Sequence, residues 1–461
     1  MQPFVFSRSI VTSLNLLGYC LVIISSSAVC PAQDAPSNSP ATPPVVQTSN
    51  DQPQTWNWHV QNTDIIQGHP NFPAQYSGPN SLGNGNQLQN TVSVDLYGGL
   101  RLWQGAEVHV DGLVWQGYGL SNTLGAEAFP NGEAQHAGTQ SPNFNLAHVI
   151  FRQTIGLGGE QEDISDDQLT LAGKQDVSRL TITVGRMSPT DIFDNNTYAG
   201  NSRTQFMNWA LIANEAWDAS SDALGFITGE TIELNQPSWA IRYGLFQVTQ
   251  VANGKGTDQH LLDAWDMVTE LEQRYDISGH PGKARVLAYL NHSPMGSYEE
   301  AVDSGVQPAT FPATANYRFK FGVGLNLEQE LTQDIGAFSR LGWSNGQAQA
   351  WGFSDVDYAA SLGLSIKGTS WSRPDDTIGL AGVYSGISKI HQQFLADGGT
   401  GILAGDGALS YGGEEATEAY YNFQIRDGIN FTADIQFINN PAFNTARGPV
   451  FVFGARLHFE Y

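Results

Sequence analysis

The densest run of side chains capable of chemistry lies between Ser188 and Ser221, which reads SPTDIFDNNTYAGNSRTQFMNWALIANEAWDASS. It holds Asp191, Asp194, Asn195, Asn196, Tyr198, Arg203, Asn208, Trp209, Trp217 and Asp218, with Asn201, Gln205 and Asn214 among them. Carboxylates, planar amides and a guanidinium bond hydroxyl groups in pairs, while the faces of Tyr and Trp suit the C–H side of a pyranose. A carbohydrate fits that set. Asp, Asn and Gly also build turns, and on chemistry alone the two readings stand level. The 34-residue length favours function, because so long a connection without secondary structure of its own is uncommon.

Other chemistry is sparse. There is no G-x-S-x-G, H-E-x-x-H or P-loop pattern, and the ten His are scattered without metal-ligand spacing, so neither an enzyme nor a cofactor is expected. His109, His148 and His458 sit on polar strand faces, where a wall position outweighs a ligand or base. A hydrolase with its triad dispersed over strands is the rival from another class. It predicts esterase activity lost to a serine-directed reagent.

The elements that position the loop follow from composition and alternation. The 461 residues carry Lys+Arg 21 against Asp+Glu 45, a net charge of −24, and only 14% charged residues, where about 25% is usual. No stretch beyond residue 30 approaches the roughly 20 apolar residues of a spanning helix. The acidic balance excludes nucleic acid as a partner, since phosphate binding needs a basic face. Arg8, the apolar run Ile10 to Ile24 and Cys30-Pro31-Ala32 read as a secretory leader over 1–32. Cleavage after Ala28 fits nearly as well, and a lipidated Cys30 is the runner-up, disfavoured because Val29 is too large for a good lipid-attachment box. Both cysteines, Cys20 and Cys30, fall in this segment, so a mature chain cut after Ala32 has no thiol. Residues 33–54, rich in Pro, Ser and Gln, read as a disordered linker.

From residue 55 to 461, apolar and polar residues alternate at strand length. Phe451, Phe453, Ala455, Leu457, Phe459 and Tyr461 share one face, and Val452, Gly454, Arg456, His458 and Glu460 the other. Tyr317 to Glu328 and Ile429 to Phe437 repeat the pattern, the latter entered through the tight turn Arg426-Asp427-Gly428. Sixteen strands are expected, near 55–65, 91–103, 106–119, 145–155, 178–187, 222–231, 238–248, 266–276, 283–292, 317–330, 335–344, 353–367, 376–386, 413–425, 429–438 and 450–461. Their connections alternate short and long, which a soluble all-β protein has no reason to do. This predicts an all-β transmembrane antiparallel β-barrel with short periplasmic turns and long extracellular loops. The stretch 156–177 breaks the rule, being long and acidic where a short turn belongs.

In such a barrel the greasy faces meet lipid and the charged faces the lumen, because an Arg in lipid at the midplane costs about 2–4 kcal/mol. Lumen phase selects Arg101, Arg152, Arg242, Arg285, Arg318, Arg340 and Arg456, with Asp95, Glu107, Asp111, Glu270, Glu272, Arg274, Glu328 and Asp434. Of these Arg242, Glu270, Glu272, Arg318 and Arg340 join the loop residues as candidate pore-lining positions. Arg186 falls on the lipid phase and is expected at the loop root, above the membrane band.

The sequence resembles the carbohydrate-selective porin family of the OprB type. The resemblance rests on Val184-Gly185-Arg186, Asp191, Phe193-Asp194 and Tyr198-Ala199, then on Gln205-Phe206-Met207-Asn208-Trp209, Ala216-Trp217-Asp218 and Leu224-Gly225. It extends to the closing hairpin, Gln436-Phe437-Ile438-Asn439-Asn440-Pro441 and Gly454-Ala455-Arg456-Leu457. The resemblance implies a sixteen-stranded channel in a Gram-negative outer membrane for passive diffusion of mono- and small oligosaccharides, without a cofactor. Partners expected are sugar solutes, outer-membrane lipid and lipopolysaccharide, and the barrel-insertion machinery through the strand ending Phe459 and Tyr461. Rival readings are a general or differently selective porin and a soluble β lectin, the latter extractable without detergent.

Overall fold

The computed structural model describes residues 53–134, 138–312 and 316–461. The expected leader, and the linker up to Gln52, lie outside the described residues. Eighteen strands follow in order: β1 Trp56–His69, β2 Gln87–Trp103, β3 Ala106–Gly117, β4 Thr139–Gly156, β5 Gln161–Ile164, β6 Gly173–Asp176, β7 Arg179–Met187, β8 Ile227–Asn235 and β9 Trp239–Phe246. Then come β10 Trp265–Ile277, β11 His280–Ser293, β12 Arg318–Thr332, β13 Ile335–Ser344, β14 Tyr358–Gly368, β15 Arg373–Gly386, β16 Glu414–Arg426, β17 Ile429–Asn439 and β18 Val450–Glu460.

All but β5 and β6 form one closed antiparallel barrel of sixteen strands, each beside its chain neighbour. β1 and β18 close it, from Gln61↔Glu460 to Gly68↔Phe453. Closure is what lipid demands, since an unpaired backbone group in hydrocarbon costs several kcal/mol. The outer surface follows the alternation: Leu96, Val110, Ile232, Leu271, Val286, Val323, Leu341, Leu362 and Ile435 are exposed. Aromatic residues flank this band, with Trp56, Trp58, Trp103 and Tyr461 toward the short-turn rim and Phe319, Trp343, Tyr384 and Phe451 toward the long-loop rim. No helix among the described residues is long and apolar enough to cross a membrane.

All sixteen expected barrel strands are present, with shifted ends. β8 begins at Ile227 rather than 222, because Asp222 Oδ1 accepts from the Leu224 and Phe226 amides (2.9 and 3.2 Å) and holds these residues in a turn. β14 begins at Tyr358 rather than 353, because Asp355 and Asp357 are buried acceptors for other loops, taking the Leu403 amide and the Ser388 amide at 2.8 Å each. The long loops fold inward and over one another. They carry three short helices, α1 Trp209–Ile212, α2 Tyr298–Asp303 and α3 Lys389–Ala396. Leu82, Leu120, Phe206, Phe338 and Tyr420 form one apolar cluster, and Tyr298, Phe394 and Phe443 belong to another. The molecule therefore packs its core inside the barrel, from loop side chains against inward strand residues such as Phe338 and Tyr420, while most of the barrel's apolar side chains look outward.

The anomalous stretch 156–177 holds the small hairpin β5–β6 between β4 and β7, which remain barrel neighbours.

Candidate functional site

Loop 188–226 leaves β7, crosses the lumen and returns to β8. At its root Arg186 donates to Asp222 Oδ2 (2.6 Å) and to the Leu146 carbonyl (2.8 Å), so the lipid-phase guanidinium is neutralised where the loop begins. A β-bulge on β4 next to it, where Asp111 pairs His148 and Gly112 pairs Leu146, leaves Ala147 as an extra residue. The phase flips there, and His148 points inward between Asp111 Oδ2 and Asp191 Oδ2, 2.9 Å from each.

Asp194 and Arg340 pin the outgoing and returning limbs together. Asp194 sits in the left-handed region (φ 58°), and its carboxylate receives Arg340 Nε (3.0 and 3.2 Å), Asn326 Nδ2 (2.7 Å) and the Asn214 amide (2.7 Å). The same guanidinium donates to the carbonyls of Asp194, Ala199 and Leu211. Asn196 donates to Asn326 (2.8 Å), and the Thr197 amide and hydroxyl to Glu328 (2.9 Å each). The loop then dips until the Tyr198 ring lies over Gly336, the second residue of β13, where any Cβ would overlap it. Arg203 reaches the opposite wall, with NH1 on Asp95 (2.7 Å) and Nε on Glu133 (3.0 Å). Burial raises the Glu133 carboxyl, but Arg203 outweighs it and holds Glu133 below the usual carboxylate range, so the pair is charged.

The return limb is anchored as firmly. Glu418 accepts from the Met207 and Asn208 amides (2.7 and 2.9 Å), Asn208 donates to Gln436 (2.9 Å), and Arg456 donates to the Ser202 and Gln205 carbonyls (2.6 and 2.8 Å). Phe206 packs between Phe338 and Tyr420, and Phe193 stands edge-on to Trp217 and Phe246. Trp209 stacks on Phe129 and packs against Phe353 (centroids 5.9 and 4.5 Å). Asp218 accepts from the Trp351 and Gly352 amides.

Along the lower wall, charges alternate across five strands. Arg242 on β9 bridges Glu233 on β8 (2.6 Å) with Glu270 and Glu272 on β10 (2.8 and 3.2 Å), and Arg285 on β11 joins Glu272 (2.9 Å) to Glu328 on β12 (3.1 Å). Arg274 and Lys283 complete this belt.

The candidate residues thus separate. Asp194, Asn196, Asn208, Asp218 and Arg340 are buried and hold the loop, rather than lining open space, because their polar atoms are engaged by wall and backbone, and Trp217 is buried by packing on Phe193. Arg242, Glu270 and Glu272 belong to the belt, and Glu270 also accepts from the Asp194 amide (2.7 Å). Arg318 is misplaced as a lining residue: its position is the first of β12, where it pairs with Glu300 of α2 at the long-loop rim (2.6 Å). Trp209 is half-buried in the aromatic stack. Asp191, Asn195 and Asn201 remain exposed on the loop, whereas Tyr198 is half-buried against Gly336 of β13 and Arg203 half-buried against the opposite wall. The sequence reading had no signal for Glu133, which lies in another loop, or for Tyr97 and Gln61 on the wall beneath Arg203. Among the described residues no group of His, Cys, Asp or Glu is arranged to hold a metal.

A sixteen-stranded barrel with an inward loop of amides, carboxylates and aromatics is the geometry of a solute channel. Residues 79–461 match the carbohydrate-selective porin, OprB family. The chain belongs to this family. This porin is a channel of the Gram-negative outer membrane for carbohydrate diffusion, and not an enzyme. Among solved structures it is similar to OprB of Pseudomonas putida in a high-pH form, with 16% identity, 88% of this chain and 94% of that one covered, and a TM-score of 0.67. It is more distantly similar to OccK2 (OpdF) of Pseudomonas aeruginosa, with 9% identity, 89% and 98% covered, and a TM-score of 0.45. No curated protein sequence matches it. The motif residues that carry the family likeness, Phe193-Asp194, Ala199, Phe206 and Asn208, are buried anchors of this porin's inner loop.

Proposed function

We propose that sugars pass this porin over the accessible face of the inner loop, in contact with Asp191, Asn195, Tyr198, Asn201 and Arg203. One observation carries the reading: buried groups fix the loop to the barrel wall and leave Asp191, Asn195 and Asn201 exposed on it, with Tyr198 and Arg203 half-buried. Their hydrogen bonds replace part of a sugar's hydration, and the Tyr198 ring offers it an apolar face. No single contact is strong, since a net hydrogen bond contributes about 0.5–1.5 kcal/mol, and weak contacts are what allow release.

Liposome swelling with purified refolded protein tests this. Glucose is expected to enter faster than a neutral amino acid of similar size, and the combined Asn195→Ala and Tyr198→Ala variant to lose that preference by a few-fold. Equal rates for both solutes in the parent protein reduce the reading to a general porin.

The same proposal places the aromatic bands against lipid and lipopolysaccharide, and assigns recognition by the insertion machinery to the end of β18. There the Val60 amide pairs with the carbonyl of Tyr461, whose ring is exposed. Residues 1–32 serve as the export leader and 33–54 as a spacer to β1.

A further inference from the structure

The hairpin between β4 and β7 does not lie as a turn beyond the rim. Its stem pairs Gln161↔Asp176 through Ile164↔Gly173, and its tip, residues 165–172, is held by wall side chains. Asn57 Nδ2 donates to Asp166 Oδ1, the Asp167 carbonyl and the Thr170 carbonyl (2.8, 2.9 and 3.0 Å). Gln168 Nε2 donates to Gln61 Oε1 and Glu460 Oε1 (3.1 and 3.2 Å), Arg152 NH1 to the Leu169 carbonyl (2.7 Å), and Arg101 NH2 to the Ala172 carbonyl (3.3 Å). Asn57, Gln61, Arg101, Arg152 and Glu460 all have lumen phase on β1, β2, β4 and β18. Leu171 is only 2% exposed. The hairpin therefore springs from the β4–β7 rim and ends inside the short-turn mouth, against β1 and β18.

Its contacts continue upward to the sugar loop. Gln61 Nε2 donates to the Tyr97 hydroxyl (2.7 Å) and to Asp95 Oδ2 (3.4 Å), and Asp95 holds Arg203. One layer of wall residues separates the hairpin tip from the inner loop. A turn with no role in permeation would give its backbone to water, yet this tip draws wall donors that would otherwise face the lumen.

We infer that hairpin 157–177 is a second constriction, at the periplasmic exit, which sets the largest sugar the channel passes. The inference rests on the channel function of the family and not on the sugar contacts proposed for the inner loop. Monosaccharides clear both restrictions, whereas a linear oligosaccharide must pass the inner loop and the hairpin tip in succession.

The test replaces Leu157–Ser178 by Asn-Gly, joining Gly156 to Arg179, which already face each other in the ladder. Heat-modifiable gel mobility reports barrel folding. Planar-bilayer conductance is expected to rise about two-fold, and the ratio of raffinose to glucose influx in liposomes to rise with it. The preference for glucose over a neutral amino acid should stay as in the parent, which separates this inference from the reading of the inner loop. Unchanged conductance with an unchanged raffinose-to-glucose ratio overturns it. Should the deletion fail to fold, Asn57→Val with Gln168→Ala frees the tip without shortening the chain. Both readouts must then move in the same direction, and a parent-like channel overturns the inference equally.

Discussion

Arg340 illustrates how single side chains decide whether the inner loop is a filter or a flap. Its guanidinium is almost fully buried and engages the Asp194 carboxylate and three loop carbonyls, one on the return limb. Removing one partner of a buried ion pair costs about 3–5 kcal/mol, because the remaining charge is stranded. Arg340→Met is therefore expected to leave the barrel folded while releasing the loop, read as trypsin cleavage after Arg203 and as noisier single-channel current. A variant as protease-resistant as the parent would show that the remaining anchors, Glu418 and Arg456 with Phe193 and Phe206, hold the loop without Arg340. Residue types in 188–221 suggested carbohydrate chemistry, but parity could not say which residues were consumed as anchors. Asp194 and Asn208 look like Asp191 and Asn195 in sequence; only the wall residues opposite, Arg340 and Glu418, distinguish them.

At the scale of elements, the strands were legible because a lipid-facing strand has a strict period of two. Errors came where a side chain overrode the period: Asp222 capping a turn before β8, and Asp355 and Asp357 drawing 353–357 into the loops. Non-local bonds of this sort leave no periodic trace. The loop elements carry their own pH dependence. Glu215, just after α1, is pushed up to about 8 by burial, with the nearby Glu414 adding to the effect and the Ser385 hydroxyl opposing it. An acid whose folded value is raised is neutral in the fold and ionised in the open loop, so docking weakens as pH rises from about 4.5 to about 8 and changes little beyond. Hydrogen exchange of the 209–218 amides should accordingly be slowest near pH 5, after correction for intrinsic rates, and the loss on going to pH 8 should amount to a few-fold or more. Glu215→Gln, neutral throughout, is expected to flatten that profile. A parent profile as flat as the variant's would mean that Glu215 is ionised in the fold.

For the whole molecule, charge is the property that composition stated and the structure distributes. The chain has 45 acidic and 21 basic residues, and the first 52 contribute only Arg8, Asp34 and Asp51, so the surplus of acid belongs to the barrel and its loops. Inside the barrel five Arg are paired with carboxylates, Arg101 with Glu107, Arg203 with Asp95 and Glu133, Arg242 and Arg285 within the belt, and Arg340 with Asp194, while Arg152 and Arg456 donate to carbonyls. Each of those five Arg has a carboxylate partner, whereas Asp191 and Asp166, exposed along the route, have His148 and His59 rather than an Arg beside them. A low-dielectric wall focuses such a field into the lumen. A potassium chloride gradient across a planar bilayer should therefore give a reversal potential of the sign for potassium over chloride. The selectivity should shrink as salt rises from about 0.1 M to 1 M, where screening falls from about 10 Å to about 3 Å. Glucose influx, carrying no charge, should be indifferent to the same change. Chloride preference would mean that Arg152, which donates to the Leu169 carbonyl in the short-turn mouth, outweighs the exposed acids along the route.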